Sequence, residues 1–279
     1  MPSTDPLLAQ AHRCVLAYRT AEGPAMRSVA CWSDGAGLWL TTTWPADEVA
    51  ALRRDPRCAV WIGEPRAPAG GDHPADAGIV IDGSARMYDL SDPVRLALHA
   101  PVISAALTAL ALAHRSAIAG YVRDLPRVAG TWVAQPRVLM RVRINRARRR
   151  MVPQHVTGMG PVLPTELPAG VRRALSGVRH VVLALQRGDG LEVRPALWKA
   201  GFQLDVGAGV VPDTDTPASI LVDQHVDARP ASSVGLLLRG TVDSRFRFRP
   251  QSATWWQGVS VESSKLREPA TASGIVLPD

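Results

Sequence analysis

The stretch that most limits what this chain can fold into is residues 13–60, where short β-prone runs alternate with turn residues at close spacing. Cys14 to Arg19 reads as a strand, Ala21-Glu22-Gly23-Pro24 as a turn, and Met26 to Trp32 as a second strand. Ser33-Asp34-Gly35-Ala36-Gly37 is the next turn, and Leu38 to Thr43 the third strand. A helix is predicted over Ala46 to Arg54, closed by Asp55-Pro56, and a fourth strand over Cys58 to Gly63. Runs rich in β-branched and aromatic residues, bounded by Gly, Pro and Asp, are strand signals. A meander of such strands, interrupted by one helix, predicts a small closed barrel.

The flanking segments fit that frame. Asp5-Pro6 caps a short entry helix, with proline at its first position. Residues 64–77 are rich in Pro, Gly and Ala and read as a loop, and Gly78 to Tyr88 as a fifth strand whose Gly83 allows a bend. Residues 92–124 are helical, opened by Asp92-Pro93 and kinked or broken at Pro101. The alanine-rich run Val102–Val122 predicts burial on more than one face, between two barrels or in a dimer contact. His114 within it reads as a packed core residue. Arg137 to Arg149 alternates strictly, with Val138, Met140, Val142 and Ile144 on one side and Arg137, Arg141, Arg143 and Asn145 on the other. The basic run Arg146–Arg150 reads as a solvated strand end or as a holder of an anionic ligand or acidic partner.

Residues 151–168 hold Pro153, Pro161, Pro164 and Pro168 and are placed as a linker. Beyond it the chain repeats itself. Cys14-Val15-Leu16-Ala17 aligns with Val181-Val182-Leu183-Ala184, and without a gap Gly23 meets Gly190 and Arg27 meets Arg194. Ile79-Val80-Ile81-Asp82-Gly83 resembles Leu236-Leu237-Leu238-Arg239-Gly240. The second copy is shorter where the first has its helix, and offers only Gly207 to Pro217 there, so a reduced barrel is expected. The predicted domains are 1–150, with a helical insertion at 92–124, and 169–279. Trp255 and Trp256 are adjacent in a strand and must face opposite ways, one into the core and the other to a pocket or the domain interface. After Ser263 a loose tail is expected.

Composition narrows the function classes. Hydrophobic residues make up 46% of the 279 residues, enough for a sizeable core, and no apolar run reaches a membrane span. No signal peptide is visible, and Cys14, Cys31 and Cys58 fall in predicted strands as buried free thiols, so a cytoplasmic location is expected. The formal net charge is +7, but only two of the 32 basic residues are lysines, Lys199 and Lys265. That arginine bias is not taken as nucleic-acid binding. It means that a phosphate held by a side-chain cation is held by an arginine fork.

Several of these pieces in their order resemble one family. Gly23-Pro24, Arg27 to Trp32, Gly37-Leu38-Trp39-Leu40-Thr41-Thr42 and Leu52-Arg53-Arg54-Asp55-Pro56-Arg57-Cys58-Ala59-Val60 are similar to the start of the pyridoxamine 5′-phosphate oxidase-like, FMN-binding split-barrel proteins. The resemblance implies a mainly β fold with accessory helices, here two tandem split β-barrels with the second reduced. It implies pairing as a homodimer or an internal pseudo-dimer, and FMN in the cleft between barrels. Carried over residue by residue, the phosphate site is Arg27, Ser28 and Val29 of the second strand with Thr41, Thr42, Thr43 and Trp44 at the end of the third. Hydroxyls and backbone amides at a helix N-terminus suit a phosphate. The family's serine and lysine at the helix start fall on Ala46 and Glu48, with Asp47 between them. Two carboxylates there favour the helix dipole and repel a dianion. Either Arg27 and the threonines suffice, or the ligand differs, or the site is lost.

Other chemistry is thin. No H-x-x-x-H or H-E-x-x-H arrangement and no zinc-type cysteine spacing occurs, so no metal site is expected, and no protein acid or base can be assigned. The expected function is an FMN- or deazaflavin-dependent oxidoreductase whose cofactor carries the hydride chemistry. One alternative is a cofactor-free binding or regulatory protein that kept the fold. Another is a heme protein with His73, His155, His180 or His225 as axial ligand. The expected partner is a small molecule, with neither nucleic acid nor membrane.

Overall fold

The structure is a computed structural model that describes residues 5–43, 46–63, 77–128, 137–154, 163–207, 211–213, 215–225, 233–258 and 260–266. The predicted meander forms. After α1 (Pro6–Ala9) come β1 (Arg13–Thr20), β2 (Gly23–Ser33), β3 (Gly37–Thr43), α2 (Asp47–Arg54), β4 (Arg57–Ile62) and β5 (Ala77–Tyr88). Three helices follow, α3 (Pro93–Leu98), α4 (Ala100–Ala113) and α5 (Arg115–Val128), and then β6 (Arg137–Met151). The strands close into a barrel in the order β1-β2-β3-β6-β5-β4, with β1 also paired to β4. Closure leaves this sheet no free edge. Its interior is filled from alternate positions: Leu16 and Tyr18 of β1, Leu38 and Leu40 of β3, Val60 and Ile62 of β4, and Val138, Met140 and Val142 of β6. The alternation expected in β6 is therefore the barrel's inward face. Gly83 sits at a register shift in β5, where a Cβ would lie 2.6 Å from the Arg143 carbonyl oxygen, so only glycine fits the bend.

The second half opens with α6 (Ala169–Leu175). It continues through β7 (His180–Arg187), β8 (Gly190–Trp198), β9 (Leu204–Asp205), β10 (Thr216–His225), β11 (Ser233–Val242), β12 (Phe248–Gln257) and β13 (Ser260–Lys265). These strands form a sheet in the order β13-β12-β11-β10-β7-β8-β9. Its far end folds back toward β12: Gln203 bridges Arg247, Phe248 N–H donates to the Phe202 carbonyl at 2.9 Å, and Leu204 N–H to the Phe246 carbonyl at 3.0 Å. Leu183, Leu185, Trp198, Ile220, Leu236, Leu238 and Phe248 fill the space this sheet wraps. A second register shift falls at Gly240, where a Cβ would collide with the Arg249 carbonyl.

A separate apolar layer lies between the two sheets, built from the outward faces of their strands. Val15, Ala17, Met26, Ala59, Trp61 and Val80 of the first meet Val182, Ala184, Val193, Leu221 and Leu237 of the second. Ion pairs rim the layer: Arg13 to Asp223 at 3.0 Å, Arg239 to Glu22 at 3.0 Å, and Arg19 to Asp189 at 3.5 Å. Trp255 packs in the second core and Trp256 against this layer, so the adjacent pair faces opposite ways as expected.

Two expectations are corrected. The run Val102–Val122 is not buried between the sheets. It divides at His114 into α4 and α5, which with α3 lie outside the barrel and touch it through Leu96 of α3 and Ile103, Ala106 and Leu110 of α4, beside Trp39, Tyr88 and Leu139. Val102, Leu107, Leu112, Ile118 and Val122 stay exposed, because only a narrow stripe of each helix can face the strands. The tail is not loose from Ser263, since β13 pairs with β12 as far as Lys265 opposite Ser252. No helix among the described residues is long and apolar enough to cross a membrane.

Candidate functional site

The expected anion site lies where β2, the end of β3 and the start of α2 converge. α2 begins after Ala46, which offers no side-chain cap, and carries Asp47 and Glu48 in its first turn with Arg53 and Arg54 in its last. That charge order suits the helix dipole. Val49, Ala51 and Leu52 anchor the helix in the barrel core, and this orientation turns Glu48 inward.

Glu48 is fully buried, and its carboxylate is bonded twice within the chain. The Thr42 hydroxyl donates a short hydrogen bond to Oε1, and Arg27 Nη1 donates to Oε2 at 3.2 Å. Burial pushes the nearby Tyr18 phenol well above its usual range, and the Glu48 charge pushes the same way. The arginine and threonine expected to hold a phosphate therefore already hold an anion, and it belongs to the protein.

The other expected site residues are committed or point elsewhere. Ser28 Oγ accepts from Arg13 Nη2 at 2.9 Å, and the same nitrogen reaches Asp223 of the second half at 3.0 Å. Val29 is a core residue of the barrel. Thr41 alternates with Thr42 and faces outward, into a different cavity. The side chain of Thr43 and the whole of Trp44 lie outside the described residues. The residues present do not fit a flavin phosphate at this position, since a dianion would have to displace a buried carboxylate from both of its donors.

The position aligned with Arg27 in the second half is Arg194, and it too is paired with a glutamate. Arg194 Nε and Nη2 reach Glu192 Oε1 at 2.7 Å and 2.6 Å, two residues back on the same strand face. The counter-ion comes from β8 itself, with no helix involved.

Outward-facing Thr41 lines a cavity of about 970 Å³ between the barrel wall and helices α3 and α4. Its walls are mainly apolar, with Tyr88, Leu96, Ile103, Leu107 and Leu139 among them. In the sequence Thr41 and Arg137 stand apart, and nothing local joins them into a cavity. The signal was available in the helix pattern, which leaves apolar residues on more faces than one barrel wall can cover.

Of the heme candidates, His73 and His155 lie outside the described residues, as does the side chain of His225, and His180 opens β7 half-buried. Among the described residues no group of three or more His, Cys, Asp or Glu side chains could hold a metal ion. His114 packs as expected: its Nε2 lies 3.1 Å from the Cys31 carbonyl, its ring meets His12 edge-on, and burial lowers its pKa.

Neither a protein-family model nor a curated protein matches the sequence. Among solved structures, an FAD-binding protein from Mesorhizobium loti is 16% identical, covering 51% of this chain and 88% of its own, with a TM-score of 0.35. An F420 reductase is 18% identical over 53% of this chain and 98% of its own, at 0.32. A heme-binding protein from Mycobacterium smegmatis is 20% identical over 52% of this chain and 50% of its own, at 0.35. The barrel itself rests on this chain's own hydrogen-bond ladder, and at these scores the matches say nothing about its chemistry.

Proposed function

We propose that this chain is a cofactor-free, split-barrel binding protein in which two split barrels pair within one polypeptide and Glu48 closes the anion site of the first. The observation that carries it is the bonding of the buried Glu48 carboxylate to both Arg27 and Thr42. An FMN- or deazaflavin-dependent oxidoreductase, the activity the resemblance implies, would need that carboxylate to leave its pocket. Burial of an unpaired carboxylate elsewhere costs several kcal/mol, more than one phosphate contact returns.

Topology supports the pairing of two like units, 1–150 and 169–279, across the linker 151–168. Reading β7, β8, β9, β10, β11 and β12 as partners of β1, β2, β3, β4, β5 and β6 gives the same strand neighbours in both sheets, save that β12 pairs with β13 where β6 pairs with β3. Three pairs in the intervening layer stand at one offset: Val15 with Val182, Ala17 with Ala184 and Met26 with Val193, each partner 167 positions on. The same offset relates buried Leu8 of α1 to buried Leu175 of α6. Both sheets bend at a glycine, Gly83 and Gly240. An interface of equivalent faces is that of a two-fold dimer, here within one chain.

The test is titration of FMN and of F420 into the full chain and its Glu48→Lys variant, followed by flavin fluorescence. Wild type is expected to bind neither, and Glu48→Lys to gain FMN affinity by freeing Arg27 and adding a cation. Tight FMN binding by wild type that Arg27→Ala weakens roughly 10- to 150-fold would overturn the proposal.

A further inference from the structure

The cavity beneath α3 and α4 is a large concavity that the closed anion site does not explain. At about 970 Å³ it falls within the range of small-molecule sites, roughly 300–1,000 Å³. Its floor is barrel wall, Tyr88 from β5 and Leu139 from β6, and its roof is Leu96, Ile103 and Leu107. Apolar walls of this kind hold the hydrocarbon part of a ligand, and a few polar groups set its orientation.

Three charged side chains line it, Arg53, Asp89 and Arg137. Arg53 closes the last turn of α2 and donates to Asp89 at 2.5 Å and to Ser91 at 3.0 Å. Burial raises the Asp89 pKa, but the bonds from Ser91 and Arg53 outweigh it and hold the carboxyl below its usual range. Asp89 is thus ionised and matched. Arg137 begins β6 opposite Thr43, is exposed, and makes no side-chain hydrogen bond or ion pair among the described residues. The lining therefore carries one cation in surplus, beside the outward hydroxyl of Thr41. A single planar guanidinium presents two parallel donors, the match for one carboxylate.

We propose that this cleft binds an apolar monocarboxylate, with its carboxylate on Arg137 near Thr41 and its hydrocarbon body between α4 and the barrel wall. Charge complementarity selects the anion, and the apolar walls select the body. The exposed apolar side chains of Leu90 and Leu107 at the lining leave the roof open for entry. The proposal rests on the binding-protein reading for its function, but it uses none of the residues that close the Glu48 site.

Calorimetric titration of the full chain with decanoate and with 1-decanol tests it. Decanoate is expected to bind at one site per chain, at least about tenfold more tightly than decanol. Arg137→Gln is expected to weaken decanoate about 10- to 100-fold and leave decanol unchanged, since it removes one charge-assisted contact. Ser104→Trp places a large ring in the cleft from an exposed helix position and should abolish both, with the thermal melt confirming an intact fold. Absence of saturable decanoate binding, or equal decanoate affinity in wild type and Arg137→Gln, overturns the proposal. So does a stable dimer that takes up no decanoate, which would give this face to a second copy. FMN titrated in parallel keeps the two ideas apart: its binding would sink the closed anion site and leave the decanoate result to stand by itself.

Discussion

Replacing Glu48 by alanine tests most directly how the first barrel neutralises its own arginine. Three losses follow from the geometry. Thr42 is 4% exposed, so its hydroxyl loses its acceptor with little access to water, at about 1–3 kcal/mol. The Arg27 side chain is 47% exposed and can turn to solvent, so the ionic part is discounted to about 0.5 kcal/mol or less. One buried methylene is also removed, at about 0.8 kcal/mol. Together these give about 2–4 kcal/mol, or a drop in Tm of roughly 3–8 °C for a chain of this size. Thermal denaturation followed by circular dichroism reads it directly. Glu48→Gln, which keeps an acceptor for Thr42, should lose less than half as much. A Glu48→Ala melt within about 2 °C of wild type would refute the reasoning, because a buried carboxylate with two bonds cannot be deleted at no cost.

Two further outcomes are expected. Ala17→Asp and Ala184→Asp each place a carboxylate in the dry layer between the sheets, where both alanines are fully buried; each should cost several kcal/mol in urea denaturation, and unequal losses would tell against an interface of equivalent faces. Asp55 accepts hydrogen bonds from Arg57 and Arg19, which outweigh burial and lower its pKa to about 2. Its folded pKa lies below its unfolded value of about 3.9, so its stabilisation is complete above pH 4 and is lost as pH falls toward 2. Asp55→Asn should flatten the acid limb of a stability profile over that interval, and an unchanged limb would reject the assignment.

Much of the first barrel was legible because period-2 alternation and turn chemistry are local. Leu38-Trp39-Leu40 and Val138 to Ile144 carry their faces in their own sequence, and Ala46 to Arg54 carries its charge order. The second half was legible only where it echoed the first. β9 has two residues and β13 reads Ser-Val-Glu-Ser-Ser-Lys, so neither offers a hydrophobic period, and both are set by pairing with distant strands. α6 was hidden by the prolines of the linker, although buried Leu175 stands 167 positions after buried Leu8. For helices α3 to α5, composition misled where position decides. Alanine content predicted burial, but Ala106 and Leu110 make one narrow stripe while Leu107 and Leu112 face outward. In the site, the clash between Glu48 and a phosphate could be read from residue types. Its resolution, a pairing with Arg27 across 21 positions of sequence, depends on where β2 and α2 meet in the barrel.

The two halves neutralise their aligned arginines in opposite ways, and this gives a crossed prediction. In the first, the carboxylate is the buried partner: the Glu48 side chain is 1% exposed and that of Arg27 47%. In the second, the cation is buried: the Arg194 side chain is 5% exposed and that of Glu192 23%. Removing the exposed member of a pair strands a charge in the interior, at about 3–5 kcal/mol, whereas removing the buried member leaves a partner that water can reach. Arg27→Met should therefore destabilise the chain more than Glu48→Ala, with Thr42 alone left to hold the stranded carboxylate. In the second half the order reverses, and Glu192→Ala should cost more than Arg194→Met, which keeps the apolar stem. Urea denaturation of the four single variants reads both orders in one series. If the glutamate, or the arginine, is the worse loss in both halves, side-chain identity and not burial governs the pairs, and the account of Glu48 as a buried internal anion fails with it.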